Sequence, residues 1–296
     1  MSIFGNVLTA MVTPFKEDLT VDYAMAEKLA LHLCDNGSDG IVLHGTTGES
    51  PTLTHEEEYQ LYRVVKKAVG QRCKVIAGTG SNATATSVKS TQIAEQIGMD
   101  GAMIVVPYYN KPPQEGMFRH FKVVAENTSL PLIIYNIPGR TGKNMEVETV
   151  TRLSEIRNYV GIKEASGNLQ QVEAIRKSTP ESFAIYSGDD NLTLPVLERG
   201  GMGVISVASH LVGKDIKRMV DLFFDGKRDE AKAIHDRLMP LFEAIFVTTN
   251  PIPIKAALAM VGLPVGSLRL PLVEANEVEK ETLRKALKDL GLIQRQ

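Results

Sequence analysis

Cysteine is nearly absent from this chain, with Cys34 and Cys73 the only two in 296 residues. They have no metal-ligand spacing and cannot build a disulfide framework, so they read as two packed thiols in a reducing compartment. A charge excess of either sign is also lacking. Lysine and arginine total 33 against 35 aspartates and glutamates, a net charge of -2 with a pI near 6.3. That balance provides no broad positive field for a phosphate backbone and argues against nucleic acid as a partner. No segment reaches the roughly 18 uncharged apolar residues needed to cross a bilayer, and the opening stretch has no basic n-region. A cytoplasmic protein without a membrane partner is expected. The six histidines form no HxH or HExxH pair, so no metal site is expected.

What is present is a globular composition, 43% hydrophobic and 23% charged, which excludes disorder and fibrous repeats. Short β-branched runs alternate with stretches of helical spacing. The predicted strands are Val7 to Val12, Gly40 to Leu43, Lys74 to Ala77, Ala102 to Val106, Leu132 to Tyr135, Val160 to Lys163, Ala184 to Ser187 and Val204 to Ala208. Between them, positions such as Met25, Leu29 and Leu33, or Leu61, Val64, Val65 and Ala68, mark apolar helix faces. Thr54 and Glu57 have capping-box spacing, and Asp190 or Asn191 is expected to cap the helix after the seventh strand. Eight βα units without a composition break predict an α/β fold, a closed (β/α)8 TIM barrel over residues 1–225. Residues 226–296 read as a C-terminal helical appendage, with helices at Asp229 to Phe246, Pro253 to Met260 and Glu274 to Leu290 and turns at Pro251, Pro253, Pro264 and Pro271.

In such a barrel the chemistry lies at the carboxyl ends of the strands. Lys163 closes the sixth strand, where burial disfavours the ammonium form and leaves a nucleophilic amine able to form an imine with a ketone. The alternative is an ordinary strand-end lysine paired with a carboxylate such as Glu164. The stretch Gly45-Thr46-Thr47-Gly48 offers backbone N–H groups and two hydroxyls to a carboxylate, or is merely a glycine turn. Tyr109 and Tyr135 suit proton relay, and Arg140 a bidentate carboxylate clamp, unless the tyrosines are packing residues and the arginine is merely solvated.

Three stretches imitate other chemistries. Gly78-Thr79-Gly80-Ser81-Asn82-Ala83 has the outline of a dinucleotide fingerprint, but the next strand ends without an acidic residue for a ribose. Asp189-Asp190 suits a metal less well than a helix cap. Gly200-Gly201-Met202-Gly203 is explained by a tight turn as well as by a phosphate.

Together, Gly45-Thr46-Thr47-Gly48-Glu49, Tyr135-Asn136-Ile137-Pro138 and Gly161-Ile162-Lys163-Glu164 resemble the pyruvate-dependent Schiff-base aldolase and lyase family over Gly5 to Leu292. The resemblance implies that Lys163 forms the imine with pyruvate, that Thr47 and the backbone near Ile205 hold the pyruvate carboxylate, and that Tyr135 is the central acid and base. It further implies a link through Thr46 to Tyr109, projecting from a neighbouring subunit of a homo-oligomer, a tetramer made of two dimers. Arg140 would meet the carboxylate of aspartate 4-semialdehyde, and Gly188 would lie beside the site. The implied reaction, a step of lysine and diaminopimelate synthesis, needs no cofactor. A sister activity, cleavage of N-acetylneuraminate, fits the glycine-rich loop, tyrosine and lysine but not Arg140-Thr141-Gly142. Ser50, His55, Asn82 and Tyr108 match positions at which inhibited family members bind lysine, while Glu58 and Thr86 depart from that pattern.

Overall fold

In a computed structural model, which describes residues 2–294, eight parallel strands close a barrel in chain order. They are β1 (Val7–Ala10), β2 (Gly40–Leu43), β3 (Lys74–Gly78), β4 (Gly101–Val105), β5 (Leu132–Asn136), β6 (Tyr159–Glu164), β7 (Ala184–Ser187) and β8 (Gly203–Ser206). The helices are α1 (Tyr23–Asp35), α2 (His55–Val69), α3 (Thr84–Ile97), α4 (Gln114–Glu126), α5 (Pro138–Thr141), α6 (Val147–Ser154), α7 (Leu169–Ser178), α8 (Thr193–Leu197), α9 (Ser209–Phe224), α10 (Arg228–Ala244), α11 (Ile252–Met260) and α12 (Glu277–Asp289). Met1 and the last two residues, which the expected domain bounds include, lie outside the described residues. The chain divides into two compact units, Lys74–Ile205 with the N-terminal segment through Asn6, and Val7–Cys73 with Ser206 onward. The expected boundary at residue 225 falls in the turn between α9 and α10. Among the described residues, no helix is long and apolar enough to cross a membrane.

In the first unit the strands are buried almost throughout, which is why their sequences read as unbroken apolar runs rather than alternating ones. β5 and β6 pair in a register that sets Tyr135 opposite Lys163 and Asn136 opposite Glu164. Successive residues on a strand face opposite sides, so the second pair lies behind the first. The glycine-rich fingerprint has a packing explanation here, because a Cβ on Gly80 would strike the Val105 backbone nitrogen. Neither Asp190 nor Asn191 is the N-cap of α8, a position held by Leu192. They belong to a short 3-10 turn, Asp190–Leu192, and α8 begins after Leu192 without a side-chain cap.

In the second unit α2 carries the expected capping box, with Thr54 and Glu57 each satisfying the other's backbone N–H. Three glutamates in its first turn and two lysines in its last complement the helix dipole. β1 stops at Ala10 rather than Val12, because the Val12 N–H turns to the Nε2 of His210 at 3.2 Å. The same ring donates from Nδ1 to the Val207 carbonyl at 2.8 Å, where β8 has already ended at Ser206 rather than Ala208. That bonding requires the neutral imidazole, and burial holds its pKa down to about 4. The C-terminal helices pack on their own chain. Phe15 donates its N–H to Val265, and the Arg269 guanidinium bridges Leu19, Thr52 and Glu57 while resting on the Phe15 ring. Pro253 lies in the first turn of α11, where a proline is tolerated, instead of in the preceding turn. α12 opens on a second capping box, Asn276 with Glu279, two residues later than Glu274.

The two thiols, 39 positions apart in sequence, are neighbours. They lie close enough to affect each other's titration, and an ion pair between Asp35 and Arg72 joins the residues beside them. Cys73 donates to the Ser38 carbonyl at 2.9 Å. The contact with Cys73 lowers the pKa of Cys34, and the contact with Cys34, with burial, raises that of Cys73.

Candidate functional site

At the end of β6, Lys163 is only 5% exposed and its Nζ lies 4.5 Å from the centroid of the Tyr135 ring. The register of β5 with β6 produces this contact. Among the described residues Lys163 makes no ion pair. Pairing with Glu164 is excluded by the geometry: that carboxylate accepts hydrogen bonds from the Ser166 N–H at 2.8 Å, from Asn136 at 3.0 Å and from Gln171 at 3.1 Å. Lys163 is thus a buried amine against an aromatic face, with no carboxylate bound to it.

Gly188 follows β7, and its N–H donates to the Glu164 carbonyl at 2.8 Å. A side chain there would strike Ala165, so glycine is required for the two strand ends to approach. Burial raises the pKa of the neighbouring Asp189, the charge of Lys163 opposes that rise, and Asp190 and Glu164 add to it. Ile205 is buried within β8. After β4 the chain emerges at Tyr108 and Tyr109. Tyr109 is 90% exposed and holds a left-handed backbone, φ 72°, a conformation strained for a bulky residue. Asn110 ties this segment down by donating to the Asn82 carbonyl at 2.9 Å. Arg140 stands on α5, exposed, in the loop between β5 and α6.

In the second unit, β2 runs into Gly45-Thr46-Thr47-Gly48-Glu49. The N–H groups of Gly48 and Glu49 fold back onto Gly45 and Thr46, whereas among the described residues no protein acceptor takes those of Thr46 and Thr47. Thr47 is buried, and its hydroxyl accepts from Asn250 at 2.9 Å. Glu49, at φ 55°, sends its carboxylate to the Lys255 ammonium at 2.6 Å and to the Arg269 N–H at 3.1 Å. Burial outweighs that carboxylate and lowers the Lys255 pKa. Just beyond, Glu58 is buried and receives His44 at 3.2 Å, His55 at 3.1 Å and the Tyr62 hydroxyl at 2.7 Å. Ser50 opens the 3-10 turn that precedes α2.

Sequence reasoning missed Asn250, Lys255 and the amides behind Lys163. Only Lys255 carried a signal, as a lone charge in an otherwise apolar helix. Among the described residues no group of three or more histidine, cysteine, aspartate or glutamate side chains is placed to hold a metal.

A family profile described as the dihydrodipicolinate synthetase family matches residues 3–290. A relative from Cyanothece sp., named 4-hydroxy-tetrahydrodipicolinate synthase, is 57% identical over 99% of this chain and 100% of its own. One of the same name from Moorella thermoacetica is 55% identical over 98% and 99%. A crystal structure of DHDPS from Cyanidioschyzon merolae with lysine bound superposes at a TM-score of 0.98, with 53% identity over 99% of this chain and 100% of that one.

Proposed function

The chain belongs to the dihydrodipicolinate synthetase family, and from that premise we infer what its strand ends do. It is a lyase that condenses pyruvate with L-aspartate 4-semialdehyde through a lysine Schiff base to give 4-hydroxy-tetrahydrodipicolinate, the first committed step of lysine and diaminopimelate biosynthesis. The observation that carries this reading is the buried Lys163 amine, without an ion-pair partner among the described residues, against the Tyr135 ring.

Lys163 adds to the pyruvate ketone and water leaves, giving the imine, whose nitrogen draws electrons from the methyl carbon to form an enamine. The enamine carbon attacks the aldehyde, and the semialdehyde's own amine then displaces Lys163 as the ring closes. Tyr135 carries protons in these steps. The N–H groups and hydroxyls of Thr46 and Thr47 suit the pyruvate carboxylate, together with the backbone at Ile205. Arg140 receives the carboxylate of the second substrate, and Gly188 leaves it room. Thr46 and Tyr109 extend the proton relay, with Tyr109 supplied by a neighbouring subunit. Its exposure and strained backbone fit a residue that finds its contacts in another copy, so we propose a homotetramer of two dimers, working in the cytoplasm. The imine is the electron sink, and the proposed mechanism uses no cofactor.

The test is turnover of pyruvate with aspartate 4-semialdehyde, measured beside N-acetylneuraminate cleavage after dialysis against a chelator. Turnover of the first pair alone is expected. Activity only on N-acetylneuraminate, or only after a divalent ion is restored, would overturn the reading.

Feedback by lysine is expected to be weak or absent. Ser50, His55, Asn82 and Tyr108 are the matching effector positions, but Thr86 offers a hydroxyl where a carboxylate would hold the effector's ammonium. Such a charge-assisted bond contributes about 1.5 to 3 kcal/mol. Glu58 does not compensate, because His44, His55 and Tyr62 already occupy its carboxylate. A lysine titration should give half-inhibition no lower than about 1 mM, where binding is worth roughly 4 kcal/mol. Inhibition at micromolar lysine would show that Thr86 is no obstacle.

A further inference from the structure

Behind the register pair Tyr135 and Lys163 lies a second pair that the mechanism does not use, Asn136 and Glu164, both buried. A buried carboxylate ordinarily has a cation beside it. Among the described residues Glu164 forms no ion pair. Its partners are N–H donors: the backbone of Ser166 at 2.8 Å, the Asn136 amide at 3.0 and 3.3 Å and the Gln171 amide at 3.1 Å.

A carboxylate only accepts, whereas an amide both donates and accepts. Glu164 therefore decides which way each neighbouring amide points. With its NH2 toward Glu164, Asn136 turns its oxygen to the Met145 N–H at 3.0 Å. Its NH2 also reaches the Asn144 oxygen at 2.8 Å, and Asn144 in turn donates to the Gln171 oxygen at 2.8 Å. Gln114 holds the same segment from outside, donating to the Asn144 carbonyl at 2.9 Å and accepting from the Glu146 N–H at 3.2 Å. Residues 144–146 close the loop that begins at Ile137 and carries Arg140.

We propose that Glu164 is a positioning residue: its carboxylate polarises the Asn136, Asn144 and Gln171 amides so that they clamp the Arg140 loop to the ends of β5 and β6. The inference rests on the reading in which Arg140 meets the second substrate. It separates two functions of adjacent residues, with Lys163 performing the imine chemistry and Glu164 setting the geometry of the semialdehyde step.

The substitution that isolates this role is Glu164→Gln, which preserves shape and inverts half of the polarity. Its new NH2 must face Ser166, Asn136 or Gln171, each a donor. Turning Asn136 to relieve the clash sets its NH2 against the Met145 N–H, so the loop loses an anchor either way. Borohydride trapping of pyruvate on Lys163 should persist, with the pyruvate KM within about twofold, while the semialdehyde KM rises on the order of tenfold and kcat falls. A second change should restore the pairing. When Glu164→Gln is combined with Asn136→Asp, the introduced carboxylate accepts from the introduced NH2 and the Met145 N–H, the Asn144 and Gln171 amides turn over so that each donor again meets an acceptor, and recovery of most of the semialdehyde KM is expected.

An unchanged semialdehyde KM in Glu164→Gln overturns the proposal. So does an equal loss for both substrates that the double variant fails to repair, which would mark a purely structural role. Should Glu164→Gln not fold, Gln171→Leu removes one donor to Glu164 and one acceptor from Asn144, and the same split between substrates is expected at smaller size. If the unaltered protein fails to trap pyruvate, the Schiff-base reading itself has failed, independently of Glu164.

Discussion

Lys163→Ala should lose the borohydride-trapped pyruvate adduct entirely and lower kcat by roughly a thousandfold or more, since no other nucleophile replaces the amine. The loss should not come from unfolding. Among the described residues Lys163 makes no ion pair, so its removal forfeits the contact with the Tyr135 ring, worth about 0.5 to 2 kcal/mol, and the charge that opposes the pKa rise of Asp189. Burial of an ammonium is itself unfavourable, and alanine removes that cost. A thermal midpoint close to that of the parent, together with a dead imine step, is the expected pair of results. Trapping at parental efficiency in Lys163→Ala would assign the chemistry to another lysine.

Lys255→Met should have the opposite signature, a large loss of stability from a residue that touches no proposed substrate. Its ammonium and the Glu49 carboxylate are 2% and 0% exposed, 2.6 Å apart. Methionine keeps much of the volume and the contact with Phe15, but leaves the buried Glu49 carboxyl group without its cation and with little more than the Arg269 N–H. Breaking one side of a buried pair costs about 3 to 5 kcal/mol. The double change Lys255→Met with Glu49→Gln should recover much of that, since the stranded charge causes the loss rather than the missing attraction. A double variant no more stable than the single one would contradict this account. Because Glu49 ends the loop that carries Thr46 and Thr47, the single variant should also lose affinity for pyruvate before it unfolds.

The contrast between Lys163 and Lys255 indicates what the sequence discloses. Lys163 and Tyr135 are legible because each closes an apolar strand, so the barrel's strand period and the polarity of its rim point to the same residues. Lys255 and Asn250 are not, because their partners Glu49 and Thr47 lie some 200 positions away and only tertiary folding joins them. The eight strands follow from their β-branched runs, but apolar character overruns pairing at Val12, where the backbone has already turned to His210. Asp190 has the look of a cap because aspartate before a helix commonly is one; a 3-10 turn intervenes. The contact between the thiols is hidden by their sequence separation, being made where α1 ends and β3 begins. Of the amides around Glu164, Asn136 falls in a strand-end motif, whereas Asn144, in a loop, and Gln171, on α7, carry no pattern that joins them to it.

The double-sided use of β5 and β6 also limits how this barrel can diversify. Tyr135 and Lys163 face one side, Asn136 and Glu164 the other, and each dipeptide serves both. A mutation that tunes one face risks displacing the other, so the strand ends are poor places from which to evolve a new substrate preference. The neighbouring loop is different. Gly139, beside Arg140, is exposed, and a Cβ there meets nothing within 4 Å. Variation can accumulate at that tip without disturbing the reacting pair, which makes residues 139 and 140 the natural starting point for a library aimed at other aldehydes.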